Sequence, residues 1–564
     1  MSDPETELVD PPAVTVGPIR RLVSGVPRAL WAVAGLWVAL LLGASLVWPM
    51  SYGTDEPQHI DMAYDYAAHP FTFYGPGQLQ LSLANVGMQH ALPGYPPHVR
   101  LAEAPIPSRS HRPSFGQLGG HAFEQGGQPN QMIQHPPLYY WLEAIVVSLP
   151  GVGGLAWDVQ VWLMRLLSVL IMVPLPFLCW GAARRLLSEP FGRFQPATAS
   201  RLGVLAAALP LTVPNLIRDG SSVDNDCLLI LATSVVLWGL ARVVTGDTGL
   251  RTAAIVSGGL AVGLWSKGFA LVLPPIIVVA YLVAPAPHGI GLGGRFGRVW
   301  RPIALNVAGG LAGCFWWVRN LVEYHAVQTN GFGAAYTTQH IYGKPDHKGT
   351  LSHFVPPFID QFIFRIWGEV GLPDSPSPGP LIIYGWFFVA LIGIVAALAT
   401  RGDQGTRRRL AVLALVPAAY FVLVFSGSFN TFRQWAHDGV RSDQGRYIYG
   451  AAVILAALFA IGCYQLLRPR FHGKLALLVV AGAIVTNAAT WLLILRSWYQ
   501  PVGDSGYGSG TRAALRGLLR WSPLPEFFTV LFVIVLPVGA ALGALWVLGK
   551  DARAWRPLRP AAQT

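Results

Sequence analysis

Twelve apolar runs separated by polar segments that carry basic residues constrain this chain to a bundle of membrane-crossing helices. The runs are 29–50, 160–183, 202–217, 227–244, 253–265, 269–284, 302–317, 381–400, 410–425, 447–467, 475–495 and 527–548. In hydrocarbon every backbone amide must be satisfied inside the protein, and the helix does this within one segment. Only 12% of the residues are charged and 53% are hydrophobic, whereas a soluble protein carries about a quarter charged residues. Arg20, Arg21 and Arg28 lead into a first run too long for the apolar core of a cleavable signal peptide, so it is expected to stay as an anchor. The segment 137–150 is shorter and suits an interfacial helix, with Tyr139, Tyr140 and Trp141 at the headgroup boundary. The expectation is an all-α integral membrane protein of about twelve spans, both termini cytoplasmic.

Charge sets the orientation. Threaded this way, the inner segments hold 23 of the 40 Lys and Arg residues but only 8 of the 28 acids, the asymmetry that the positive-inside rule describes. The net charge of +12 is therefore spread along one membrane face rather than gathered into a patch, so the expected partner is membrane lipid and not nucleic acid. The division into parts reads as a cytoplasmic tail 1–28, a transmembrane core 29–318 containing a large outer loop 51–159, a second outer loop 319–380, C-terminal helices 381–548 and a cytoplasmic tail 549–564. Twelve of fourteen histidines fall on the outer side. The chemistry is expected there. The Ala, Gly and Arg bias fits a GC-rich bacterium, hence a bacterial plasma membrane.

The sharpest polar feature is Gly53-Thr54-Asp55-Glu56-Pro57-Gln58-His59, directly after the first run. Paired acids at a membrane exit can supply a general base or hold a divalent cation, Mg²⁺ or Ca²⁺, near a headgroup. The same residues also make an ordinary helix start, with Thr54 or Asp55 as cap and Pro57 in the first turn. Lys267, in Ser266-Lys267-Gly268, and Arg446 each stand at an outer boundary, where an unpaired charge is costly without a role. Snorkelling is the plain alternative for Arg446. Arg218 shares a short outer loop with Asp224 and Asp226, and Asp224-Asn225-Asp226 either binds a cation through oxygen or caps the next helix. His111/His121 and His340/His347/His353 lack the compact spacing of zinc sites. No nucleotide-binding P-loop motif occurs.

The Asp55-Glu56 pair after the first span resembles the signature of the GT-C glycosyltransferases, which include protein O-mannosyltransferases and lipid A aminoarabinose transferases. His135-Pro136-Pro137-Leu138-Tyr139-Tyr140, Arg165-Leu166-Leu167-Ser168 and Ser266-Lys267-Gly268 resemble further segments of that fold in the same order. Gly220–Asp226 and Gln444-Gly445-Arg446-Tyr447 bring the chain closer to an uncharacterised family of bacterial polytopic proteins related to these enzymes. The resemblance leaves out 319–380, and the soluble outer domain that often ends GT-C relatives is expected to be absent, since the chain ends at Thr564.

What the resemblance implies is a polyprenyl-phosphate sugar as donor, inversion at the anomeric carbon, and a glycan, lipid or protein of the cell envelope as acceptor. Asp55 is then the base, Glu56 positions the acceptor or ligates a metal, and His59 orients Asp55. Lys267, Arg446, Tyr447 and Arg218 receive the donor phosphate, with Asp224 and Asp226 as a second wall. Two rivals remain open. A flippase or transporter of lipid-linked sugars predicts an internal repeat and midplane charges. An envelope polysaccharide polymerase or ligase predicts an arginine-rich outer loop, and 319–380 has four basic residues.

Overall fold

The computed structural model describes residues 25–92, 101, 104–287, 289–329, 350–368, 377–399, 403–435, 444–503 and 506–555. His340 and His347 lie outside them. The protein is a multi-pass, all-α membrane protein. Each of the twelve apolar runs falls on helix, and among the described residues eight helices are long and apolar enough to cross a membrane. Helices Leu250–Leu264 and Leu273–Val283 are shorter, and the run 202–217 is broken by Pro210 and Pro214 into short pieces.

Burial sorts the spans into layers. Arg28–Val47, Asp226–Val244 and Gly445–Leu466 are apolar on all sides and mostly enclosed by protein, whereas Pro380–Leu398 and Glu526–Ala554 turn most of their surface outward. Small residues allow the close crossings. A Cβ on Gly462 would sit 1.7 Å from the Gly393 carbonyl oxygen, and one on Gly309 would meet the Ser257 hydroxyl at 2.2 Å.

Between the first and second long spans the chain forms a folded cap. It holds helices Glu56–Ala68, Leu83–Ala91 and Leu138–Val147 and a small antiparallel pair, Gln80–Ser82 with Gln125–Pro129. Arg112 ties this cap to the rest, pairing with Asp158 and donating to the carbonyls of Arg520 and Ser522. Tyr139 and Tyr140 do not face a headgroup boundary as the interfacial reading expects. Both are fully buried, because their hydroxyls find partners inside: Ser168 and the Asp224 amide for one, His59 for the other.

Candidate active site

Helix breaks and helix starts meet at one end of the bundle. Asp55 follows the first span, Arg218 lies in the last turn of Pro214–Asp219, the final piece of the broken run, Asp226 opens helix Asp226–Val244, Lys267 sits between Leu264 and the 3₁₀ turn Gly268–Val272, and Arg446 opens the span Gly445–Leu466. Irregular backbone at such depth needs partners, and charged side chains supply them.

Arg446 is the hub. Its Nη1 donates to Asp224 Oδ2 at 2.7 Å, Nη2 reaches Asp55 Oδ2 at 3.4 Å, and Nε lies 3.7 Å from Asp226 Oδ2. Lys267 Nζ donates to Asp226 Oδ1 at 2.6 Å. Tyr447 offers its ring face to both cations, 5.1 Å from Lys267 and 5.4 Å from Arg446. Gly445 must be glycine here: a Cβ would come within 2.6 Å of the Phe362 carbonyl oxygen.

The acids differ in access. The side chains of Asp224 and Asp226 are 2% and 5% exposed, that of Asp55 29%. Asp224 takes the Asp226 amide on Oδ1 and Arg446 on Oδ2, while the cap position of the helix falls to Asn225. Burial and the nearby Asp226 push its carboxyl up to about 6 against the pull of Arg446. Asp55 stands at the cap position, but its side chain makes no cap hydrogen bond. Its backbone is left-handed, at φ 55°, and its carboxylate points to Arg446 and Gln131. An aspartate tolerates that conformation better than most residues.

Glu56 is placed differently from Asp55. It is fully buried, and its two oxygens accept Arg165 Nε at 2.7 Å, Arg165 Nη2 at 2.6 Å, the Val223 amide and the Gly53 amide. Burial pushes its carboxyl up, but Arg165 and these hydrogen bonds prevail and hold it below the usual range. Arg165 spends its remaining donors on the carbonyls of Ser45, Trp48 and Pro49. This fork fixes how the first span hands over to the Gly53–Asp55 turn. Arg165 has no assigned role in the sequence reading, although an arginine inside an apolar run is itself a signal.

His59 lies against Tyr140 and Asp224 rather than on Asp55, with Nδ1 3.0 Å from the Tyr140 hydroxyl and Nε2 3.6 Å from Asp224. Burial, aided by Lys267 and Arg446 and opposed by Asp55, pushes it down to about 3, so the ring is neutral. Arg218 is buried and braces Thr54 Oγ1 at 2.7 Å and Asn215 at 3.3 Å, over the Trp48 ring. His135 is a residue the motif reading passes over. It is buried, its Nδ1 has no partner among the described residues, and the cations Lys267 and Arg446 are within electrostatic reach of it.

The Asp55-Glu56 pair does not fit a shared metal. The Glu56 oxygens are taken by four donors, Arg446 occupies one side of Asp55, and among the described residues no three acidic, histidine or cysteine side chains converge on one centre.

Residues 134–290 match the family model described as dolichyl-phosphate-mannose-protein mannosyltransferase. The matched segment contains His135, Arg165, Arg218, Asp224, Asp226 and Lys267. Among solved structures it is similar to ArnT from Cupriavidus metallidurans bound to undecaprenyl phosphate, at 17% identity and a TM-score of 0.45, over 93% of this chain and 77% of that one. The oligosaccharyltransferase of Archaeoglobus fulgidus, in its apo form, gives 13% identity and a TM-score of 0.37, over 94% of this chain and 57% of that one. The mycobacterial arabinofuranosyltransferase AftD gives 16% and 0.38, over 82% and 28%. No curated protein sequence matches.

Proposed function

We propose that the protein is a membrane glycosyltransferase that moves a sugar from a polyprenyl-phosphate donor to a cell-envelope acceptor, with inversion, on the outer face of a bacterial plasma membrane. The observation that carries this reading is the cluster itself: one accessible carboxylate, Asp55, held beside Arg446, which Asp226 links to Lys267, at one end of the bundle. Asp55 takes the proton of the acceptor hydroxyl as its oxygen bonds to the anomeric carbon. The bond from that carbon to the phosphate oxygen breaks, and the polyprenyl phosphate leaves with both electrons, stabilised by Arg446 and Lys267. Glu56, through Arg165, positions the turn that aims Asp55. His135 offers its unpaired nitrogen to donor oxygens, and Arg218 acts by bracing Thr54. Asp224 and Asp226 hold the two cations in place.

A second feature supports a lipid-linked donor. An almost wholly apolar cavity of about 290 Å³ runs beside the span Gly445–Leu466, from Ile448 and Tyr449 next to Arg446 down to Leu458, with Leu216, Phe362 and Phe387 on its far walls. It suits a polyprenyl tail whose phosphate ends at Arg446.

The test is sugar transfer by purified protein from a panel of polyprenyl-phosphate sugars to envelope acceptors. Asp55→Asn, which keeps the left-handed backbone available, is expected to lower kcat by about 10²-fold or more. Transfer from no donor by folded wild type overturns the reading in favour of a flippase, and transfer unchanged in Asp55→Asn removes Asp55 as the base.

A further inference from the structure

A second cavity, of about 280 Å³, lies at the opposite end of the bundle. Tyr464 in its wall is eighteen residues along the same span from Arg446, which is roughly 27 Å at a helical rise. The cavity is formed where helix Leu175–Leu187 ends and helix Gln404–Trp435 begins. Its character is split. Phe191 and Leu410 give it apolar walls, Thr406 and Tyr464 bring hydroxyls, and Arg193 and Arg409 bring two guanidinium groups.

The charges there are unbalanced. Neither Arg193 nor Arg409 has a direct ion pair among the described residues; Arg409 lies over the Phe191 ring, at 5.8 Å, and feels Asp403 at longer range. The one acid in the wall, Asp403, is turned to the helix start, where it accepts the Thr406 amide at 2.8 Å. Arg295 adds a third positive charge within electrostatic reach of Arg409. An occupant that satisfies this wall carries a phosphate for the arginines and an apolar part for Phe191 and Leu410. A free phosphate meets only half of it.

We infer that this cavity binds the headgroup and upper chains of one anionic phospholipid from the leaflet opposite the active site. Arg193 and Arg409 take its phosphate, and Phe191 and Leu410 pack against its upper chains. The site is separate from the donor groove and does not depend on the proposed transferase activity.

The full chain in detergent is titrated with dioleoyl phosphatidylglycerol, dioleoyl phosphatidylcholine and glycerol 3-phosphate, with bound lipid counted by native mass spectrometry and thermal unfolding followed alongside. One phosphatidylglycerol is expected to be retained about tenfold more tightly than phosphatidylcholine and to raise Tm. In Arg193→Gln/Arg409→Gln that preference is lost. Arg193→Gln alone, at an exposed position, is expected to lose part of it and covers the case in which the double variant fails to fold. Equal retention of phosphatidylcholine, or full preference in a folded double variant, overturns the inference. Equivalent stabilisation by glycerol 3-phosphate replaces the lipid with a soluble phosphate and overturns it too.

Discussion

Arg446 and Asp224 meet at 2.7 Å across 222 residues of sequence, joining the start of the span Gly445–Leu466 to the loop before helix Asp226–Val244. The same guanidinium reaches Asp55 and Asp226, so one planar group sets the spacing of three carboxylates. A lysine keeps the charge but cannot bridge that geometry. Arg446→Lys is expected to raise the donor KM about tenfold, or about 1.4 kcal/mol. Steady-state kinetics with a polyprenyl-phosphate sugar decide it, and an unchanged KM removes Arg446 from donor binding.

The Glu56–Arg165 fork predicts a different signature. Both groups are fully buried, and replacing Glu56 leaves Arg165 without its counter-charge. Glu56→Gln is expected to cost about 3–5 kcal/mol of stability, and at temperatures where it stays folded, to lower kcat with little change in donor KM. A variant with wild-type Tm contradicts the positioning role.

Proton uptake is expected to accompany donor binding. Asp55, Asp219, Asp224 and Asp226 face Arg218, Lys267 and Arg446. Burial, reinforced by neighbouring carboxylates and only partly offset by Arg218 and Arg446, pushes Asp219 up to about 7; Asp224 stands at about 6. A phosphate arriving beside them favours their protonated forms further, so the bound state holds more protons than the free state in this window. Donor affinity therefore strengthens as pH falls from about 7 to about 6, and Asp219→Asn flattens the profile. A donor KM that rises on acidification over that interval contradicts this.

Filling the apolar groove separates tail from headgroup. Ala452 lines it on the helix that carries Arg446. Ala452→Phe is expected to raise the KM of a long-chain donor several-fold while leaving a short-chain analogue nearly unchanged, as lost van der Waals space is felt only by the chain. Equal effects on both donors place the tail elsewhere.

Much of this was legible before any tertiary structure. Apolar run length settles the helical class, and the twelve runs all fall on helix. Asp55, Lys267, Arg446, Asp224 and Asp226 stand out because charge at a membrane boundary is rare, and the structure brings all five together. What could not be read is which way each side chain turns. Asp55 and Glu56 are adjacent, yet one is accessible and faces Arg446 while the other is buried against Arg165. One helix turn on, His59 looks toward Tyr140 and Asp224 instead of Asp55. Tyr139 and Tyr140 have the composition of an interfacial pair, but hydroxyl partners on three other segments draw them inside.

The sequence by itself determined that the chain crosses the membrane many times, that its polar chemistry gathers at span ends, and which rare charges can take part. These follow from hydrophobic length and from the cost of charge in lipid, both local properties. Tertiary structure alone decided the partners: Arg165 for Glu56, Arg446 for three aspartates, Lys267 for Asp226. Ion-pair energy falls off within a few ångströms, and only packing brings residues 55, 224 and 446 that close.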